Sequence, residues 1–66
     1  MQTGIIKLWN KDRGFGFIET ESGDEHFMHI TALADLFQPE KGMRVAFEVG
    51  ISERINKECA ILVRKI

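Results

Sequence analysis

Two short stretches carry residues whose types and spacing suit chemistry: Arg13-Gly14-Phe15-Gly16-Phe17-Ile18 and His26-Phe27-Met28-His29-Ile30. The first alternates aromatic residues with glycine, which is poor strand filling because glycine weakens a strand and offers nothing to pack. Flat rings standing clear of neighbouring side chains suit the stacking of nucleobases, a contact of about 1–3 kcal/mol per base. Thr20-Glu21-Ser22-Gly23-Asp24 has the composition of a hairpin loop. A turn centred near Ser22 sets Phe17 opposite Phe27 and Phe15 opposite His29, so that all four share one face. The opposite parity, with Ile18, Met28 and Ile30, is apolar and non-aromatic and is expected to face inward. The reverse assignment, with the phenylalanines as core, would place His29 in that core and leave it hollow at the glycines. Four rings exposed together invite aggregation unless a ligand covers them.

Catalysis finds little support. There is no Ser-His-Asp or Cys-His pattern, no glycine-rich phosphate loop ahead of a helix and no paired carboxylates in a suitable context. No catalytic residue, metal ligand or cofactor is assigned. A better rival is a small β-barrel that cages a peptide or a methylated lysine on the same aromatic patch. Nucleic-acid binding should weaken as salt rises, whereas a peptide module would ignore oligonucleotides.

The elements that must position these residues are strands. Short alternating apolar runs are separated by Gly, Asn, Asp and Ser, and helical periodicity is hard to find. Strand one reads Gly4 to Trp9, followed by the polar turn Asn10 to Gly14. Strand two is Phe15 to Glu19 and strand three His26 to Ile30. Thr31 is a plausible cap for a short helical or 3₁₀ connection over residues 31–36. Strand four alternates Val45, Phe47 and Val49 inward with Arg44, Ala46 and Glu48 outward. Polar residues from Ser52 to Glu58 form the last turn, and Cys59 to Arg64 supply strand five. The fold class expected is all-β, a five-stranded antiparallel OB-type β-barrel with a short turn between strands three and four, because so small a sheet buries its apolar side only by curling.

Length and charge agree with one small domain over residues 1–66. Apolar residues make up 44% and charged residues 29%, which argues against disorder. No apolar run approaches a membrane span and no signal-like start is seen, so a cytoplasmic protein without membrane contact is expected. The lone Cys59 reads as a small strand residue. Net charge is −1 but is segregated. Residues 1–17 hold Lys7, Lys11 and Arg13 against Asp12, residues 18–40 hold six acids and no base, and residues 41–66 hold six bases against three acids. Such a division can give one mildly basic and one acidic face, or can simply solvate the surface.

Lys7-Leu8-Trp9-Asn10, Arg13 to Ile18 and His26 to Ile30 together resemble the cold-shock domain family in order and spacing, and the resemblance covers essentially the whole chain. Gly14 to Phe17 is similar to that family's first ribonucleoprotein motif and Phe27-Met28-His29 to its second, with Gly42, Val45, Phe47 and Glu48 resembling its fourth strand. The RNA-recognition-motif fold shares the first motif, but there a strand and a helix precede it, and the residues before Arg13 cannot hold both. The resemblance implies an OB-type barrel that binds single-stranded RNA or DNA, acts as an RNA chaperone and often serves cold adaptation or the control of transcription and translation. It implies stacking by Trp9, Phe15, Phe17, Phe27 and His29, with Phe37 reaching over one end, and phosphate contacts from Lys7, Lys11 and Arg13. His29 can stack when neutral and attract phosphate when protonated.

The chain departs from the family in three places. The family has Trp-Phe where this chain has Leu8-Trp9, so the outward tryptophan is expected one position along, at Trp9. The second motif starts at His26 and ends at Ile30 where the family has a β-branched residue and an aromatic; His26 reads as a rim residue bonded to a neighbour. Residues 56–61 lack the family's Pro-Gln-Ala stretch. A monomer is expected, with a strand-swapped dimer as the alternative.

Overall fold

The computed structural model of the chain describes residues 1–35, 37–52 and 56–66. Five antiparallel strands, β1 (Gln2–Asn10), β2 (Phe15–Glu19), β3 (Glu25–His29), β4 (Arg44–Ser52) and β5 (Lys57–Lys65), form one sheet in the order β3-β2-β1-β4-β5. A 3₁₀ turn over Ile30–Ala32 follows β3. The expected strands are all present. β1, β4 and β5 run longer than their apolar runs, because ladder bonds hold polar residues at both ends.

β1 makes the sheet curl. Its first half, Gln2 to Ile5, pairs with β4, and Ile5 onward pairs with β2. One strand thus serves two ladders along different parts of its length, and the sheet coils around the apolar side. The expected closed barrel is not continuous among the described residues. The outer edges of β3 and β5 meet through the segment after the 3₁₀ turn, where Leu33 bridges Val63 in parallel and Ala34 N–H donates to Val63 O at 2.7 Å.

Inside lie Ile6, Ile18, Met28, Val45, Phe47, Ala60 and Val63, each fully buried. Cys59 is a buried free cysteine on β5. Ala46 keeps its outward parity, but its methyl stands between longer cross-strand neighbours, Thr3 and Arg64, and is nearly buried. Opposite Phe47 the β4–β5 register slips by one, and Leu62, at φ 50°, takes up the extra residue.

The hairpin loop forms as its composition suggests, with Thr20 N–H bonded to Asp24 O and Gly23 N–H to Thr20 O, both at 2.9 Å. In the turn before β2, Asn10 Oδ1 accepts from Arg13 N–H at 3.1 Å, and Gly14 at φ 72° closes the turn on Asn10 O. The 3₁₀ turn is capped by His29, not Thr31: His29 Nδ1 accepts from Thr31 N–H at 3.2 Å. That cap ends β3 at His29 and takes Ile30 out of strand alternation. Ile30 is therefore half-exposed rather than inward, with its N–H bonded to Gly14 O. Leu36 and residues 53–55 of the expected last turn lie outside the described residues.

Candidate nucleic-acid interface

The β2–β3 ladder runs without a slip through Glu19–Glu25, Phe17–Phe27 and Phe15–His29, with Gly16–Met28 and Ile18–His26 on the other side. Because strand side chains alternate, an unbroken register fixes the face of every residue in the hairpin. Phe15, Phe17, Phe27 and His29 stand together on the outer face, each half-buried, while Ile18 and Met28 are fully buried beneath them. Phe27 lies at the centre, with its ring centroid 5.9 Å from Phe15 in a stacked pair and 5.8 Å from Phe17 edge-to-face. These are favourable aromatic geometries, and each ring braces its neighbour. His29 Nδ1 also lies 2.9 Å from Thr31 Oγ1. Since Nδ1 accepts the cap bond, the ring proton sits on Nε2 in the neutral tautomer.

β1 adds a different column. Its pairing with β2 slips between Ile6 and Leu8, so that Leu8 faces Phe17, Trp9 faces Gly16 and Asn10 faces Phe15. The bulge reverses the parity expected for the first strand. Leu8, about half-exposed, joins the aromatic face, and Trp9 turns to the inner parity, half-buried against the core. The glycine at position 16 is explained by this contact rather than by ring access. A Cβ there would strike the Leu8 carbonyl oxygen and come within 2.9 Å of Trp9 Cε3, so the indole occupies the room the glycine leaves. Trp9 remains at the rim, lining a shallow depression with Leu8, Asn10, Lys11 and Asp12.

The basic residues are not equivalent. Lys11 and Arg13 are exposed in the β1–β2 turn, with no ion-pair partner among the described residues. Lys7, at the bulge, bonds Glu25 Oε2 at 2.9 Å and lies 3.5 Å from Glu19 Oε2. The hydrogen bond and charge of Glu25, then the charge of Glu19, raise its pKa above the ordinary 10.5. A phosphate reaching Lys7 must compete with both carboxylates. The pattern held the signal for them: Glu19 and Glu25 continue the parity of Phe17 and Phe27.

Phe37 packs partly against the core and lines a groove of about 490 Å³ with Ile30, Leu33 and Gln38. Ile30 follows His29 and bonds Gly14, so this groove adjoins the Phe15–His29 end of the aromatic face. His26 is not bonded as expected. Its ring tilts against Phe47 at 5.2 Å, and its Nε2 is buried without a hydrogen-bond partner among the described residues. No group of His, Cys, Asp or Glu among the described residues could hold a metal ion.

The family model described as "'Cold-shock' DNA-binding domain" matches residues 2–66. The chain belongs to the cold-shock domain family. It is 47% identical over 51 residues to the cold shock protein CspD of Bacillus subtilis, covering 74% of this chain and 77% of that one. It is 43% identical over 56 residues to the cold shock-like protein CspLB of Listeria monocytogenes, covering 82% and 85%. With the cold shock-like protein CspE of Bacillus anthracis identity is 45% over 54 residues, covering 79% and 81%. The five-stranded sheet is therefore the OB-type architecture of a nucleic-acid-binding family whose members bind single strands. No helix among the described residues is long and apolar enough to cross a membrane.

Proposed function

We propose that this cold-shock domain binds single-stranded RNA or DNA by stacking bases on Phe15, Phe17, Phe27 and His29. Trp9 and Phe37 flank the two sides, and Lys11 and Arg13 meet phosphates more readily than the tethered Lys7. The carrying observation is the unbroken β2–β3 register, which sets three phenylalanines and a histidine on one accessible face. Stacking of about 1–3 kcal/mol per base on such a platform tolerates sequence, as an RNA chaperone or a cold-shock-type regulator of transcription or translation requires. A chain of net charge −1 must rely on rings more than on charge. We expect it to act in the cytoplasm as a monomer.

Titrating oligo-T or oligo-U while following emission from Trp9, the sole tryptophan, tests the reading. Binding changes the emission, shifts the amides of Phe15, Phe17 and Phe27, and weakens with salt. Unchanged emission with unshifted amides would rule it out, and response to a peptide but to no oligonucleotide would favour the interaction-module reading.

A further inference from the structure

The acidic end of the platform raises the question of where a longer strand goes. Glu19 and Glu25 hold the Lys7 ammonium, and the adjoining hairpin loop adds two more exposed carboxylates, Glu21 and Asp24. A phosphodiester chain leaving the Phe17–Phe27 pair in the direction of that hairpin runs into like charge.

A second course lies open across β1. Glu25, Glu19, Ile5 and Arg44 are successive cross-strand partners on β3, β2, β1 and β4, one continuous row whose members are all exposed. At about 4.8 Å per strand, Arg44 lies about 14 Å along the row from Glu25. Here the surface opens into a cleft of about 680 Å³ between β1 and the turn ahead of β4, lined by Thr3, Ile5, Lys7, Glu19, Lys41 and Arg44. Two backbone bonds fix its walls, Ile6 N–H to Met43 O at 2.9 Å and Gly42 N–H to Ile6 O at 2.8 Å. Lys41 and Arg44 make no ion pair or side-chain hydrogen bond among the described residues, in contrast to Lys7. The cleft is thus acidic on its β2 wall and basic on the opposite wall, formed by Lys41 in the turn and Arg44 at the start of β4, with the exposed side chain of Ile5 between them.

We propose that this cleft takes the phosphodiester backbone of a single strand longer than the platform itself, with Lys41 and Arg44 as its phosphate contacts. The acidic hairpin turns the strand away, and the free cations at the start of β4 and in the turn ahead of it receive it. The inference rests on the platform reading, and strand length separates the two.

The test compares oligo-T of about six and about twelve nucleotides, within the site sizes usual for an OB fold. Both bind to the full chain and to its Lys41→Gln/Arg44→Gln variant at several salt concentrations. Both substituted side chains are exposed, so the variant should melt as the parent does. The longer strand should lose about five- to tenfold in affinity, and its log–log salt slope should fall by about 1.4, for two single-strand phosphate contacts. The shorter strand should change less than about twofold. Lys41→Gln alone should give about half the slope change. Equal losses on both lengths, or no loss on the longer strand, would overturn the proposal. If the unsubstituted chain failed to bind the shorter strand, the platform reading itself would fall, and the proposal with it.

Discussion

The β2–β3 ladder keeps strict opposition from Glu19–Glu25 to Phe15–His29, whereas β1 slips against β2 between Ile6 and Leu8. The two ladders share β2 and the same outer face, yet they present different chemistry. The regular ladder delivers four rings to one side. The bulged one delivers an aliphatic side chain, Leu8, and sends the only tryptophan to the other parity. One extra residue in a strand exchanges the faces of everything beyond it. The first strand is also bound on both edges, to β4 and to β2, and its slip lies just past the crossover between the two ladders at Ile5. Curvature and slip thus occur together on the strand that makes the sheet coil.

The largest effect is expected from the rings of the regular ladder. Phe17→Ala/Phe27→Ala removes the edge-to-face pair and the stacking partner of Phe15, and oligo-T affinity should fall by about a hundredfold or more, as expected for loss of about 3 kcal/mol or more of base stacking. A loss below about threefold in a titration would show that the hairpin face is not the platform. Gly16→Ala tests where the two ladders touch. Its Cβ collides with the Leu8 carbonyl and the indole of Trp9, and we expect a stability loss of about 2 kcal/mol, a drop in Tm of about 8–16 °C by calorimetry. An unchanged Tm would mean that β1 does not approach β2 as described.

Leu8→Trp sharpens the contrast in the other direction. It places a ring opposite Phe17 on the outer face, and affinity should rise about tenfold with little change in Tm, because Leu8 is already about half-exposed. The smallest effect concerns charge. Glu19→Gln/Glu25→Gln frees Lys7 and removes two carboxylates beside the platform, and affinity should rise about two- to fivefold, with a steeper salt dependence. The same bridge sets a pH signature. Its partners raise the Lys7 pKa in the folded chain, so its contribution is fully present at neutral pH and fades only as pH rises past about 10.5 through the folded value. Melting curves of the parent and the double variant should converge over that alkaline range.

How much of the site could be read from the residues differs between the same two regions. In the hairpin, alternation and turn composition sufficed, because a short loop with Gly23 fixes which residues oppose and the period of two does the rest. Reading exposure from strand alternation failed in three places, each for a reason that a period of two does not carry. At Trp9 it was the bulge, at Ile30 the histidine cap that ends β3, and at Ala46 the longer neighbours on both sides. Lys7 was readable as a basic residue, but its neutralisation was not. Glu19 and Glu25 reach it only because β1 and β3 flank the same strand, β2.

The order of polar and apolar residues by itself determined five strands, an inward apolar set and an outward aromatic hairpin, because each follows from a local period of two and from turn chemistry that needs no distant partner. The two matched motifs determined the family. The tertiary structure decided which β1 side chain joins the rings, which cations are free and which are held, and where the cleft beyond them opens. Those depend on register between strands far apart in the chain, and a slip of one residue changes them without changing the composition of any strand.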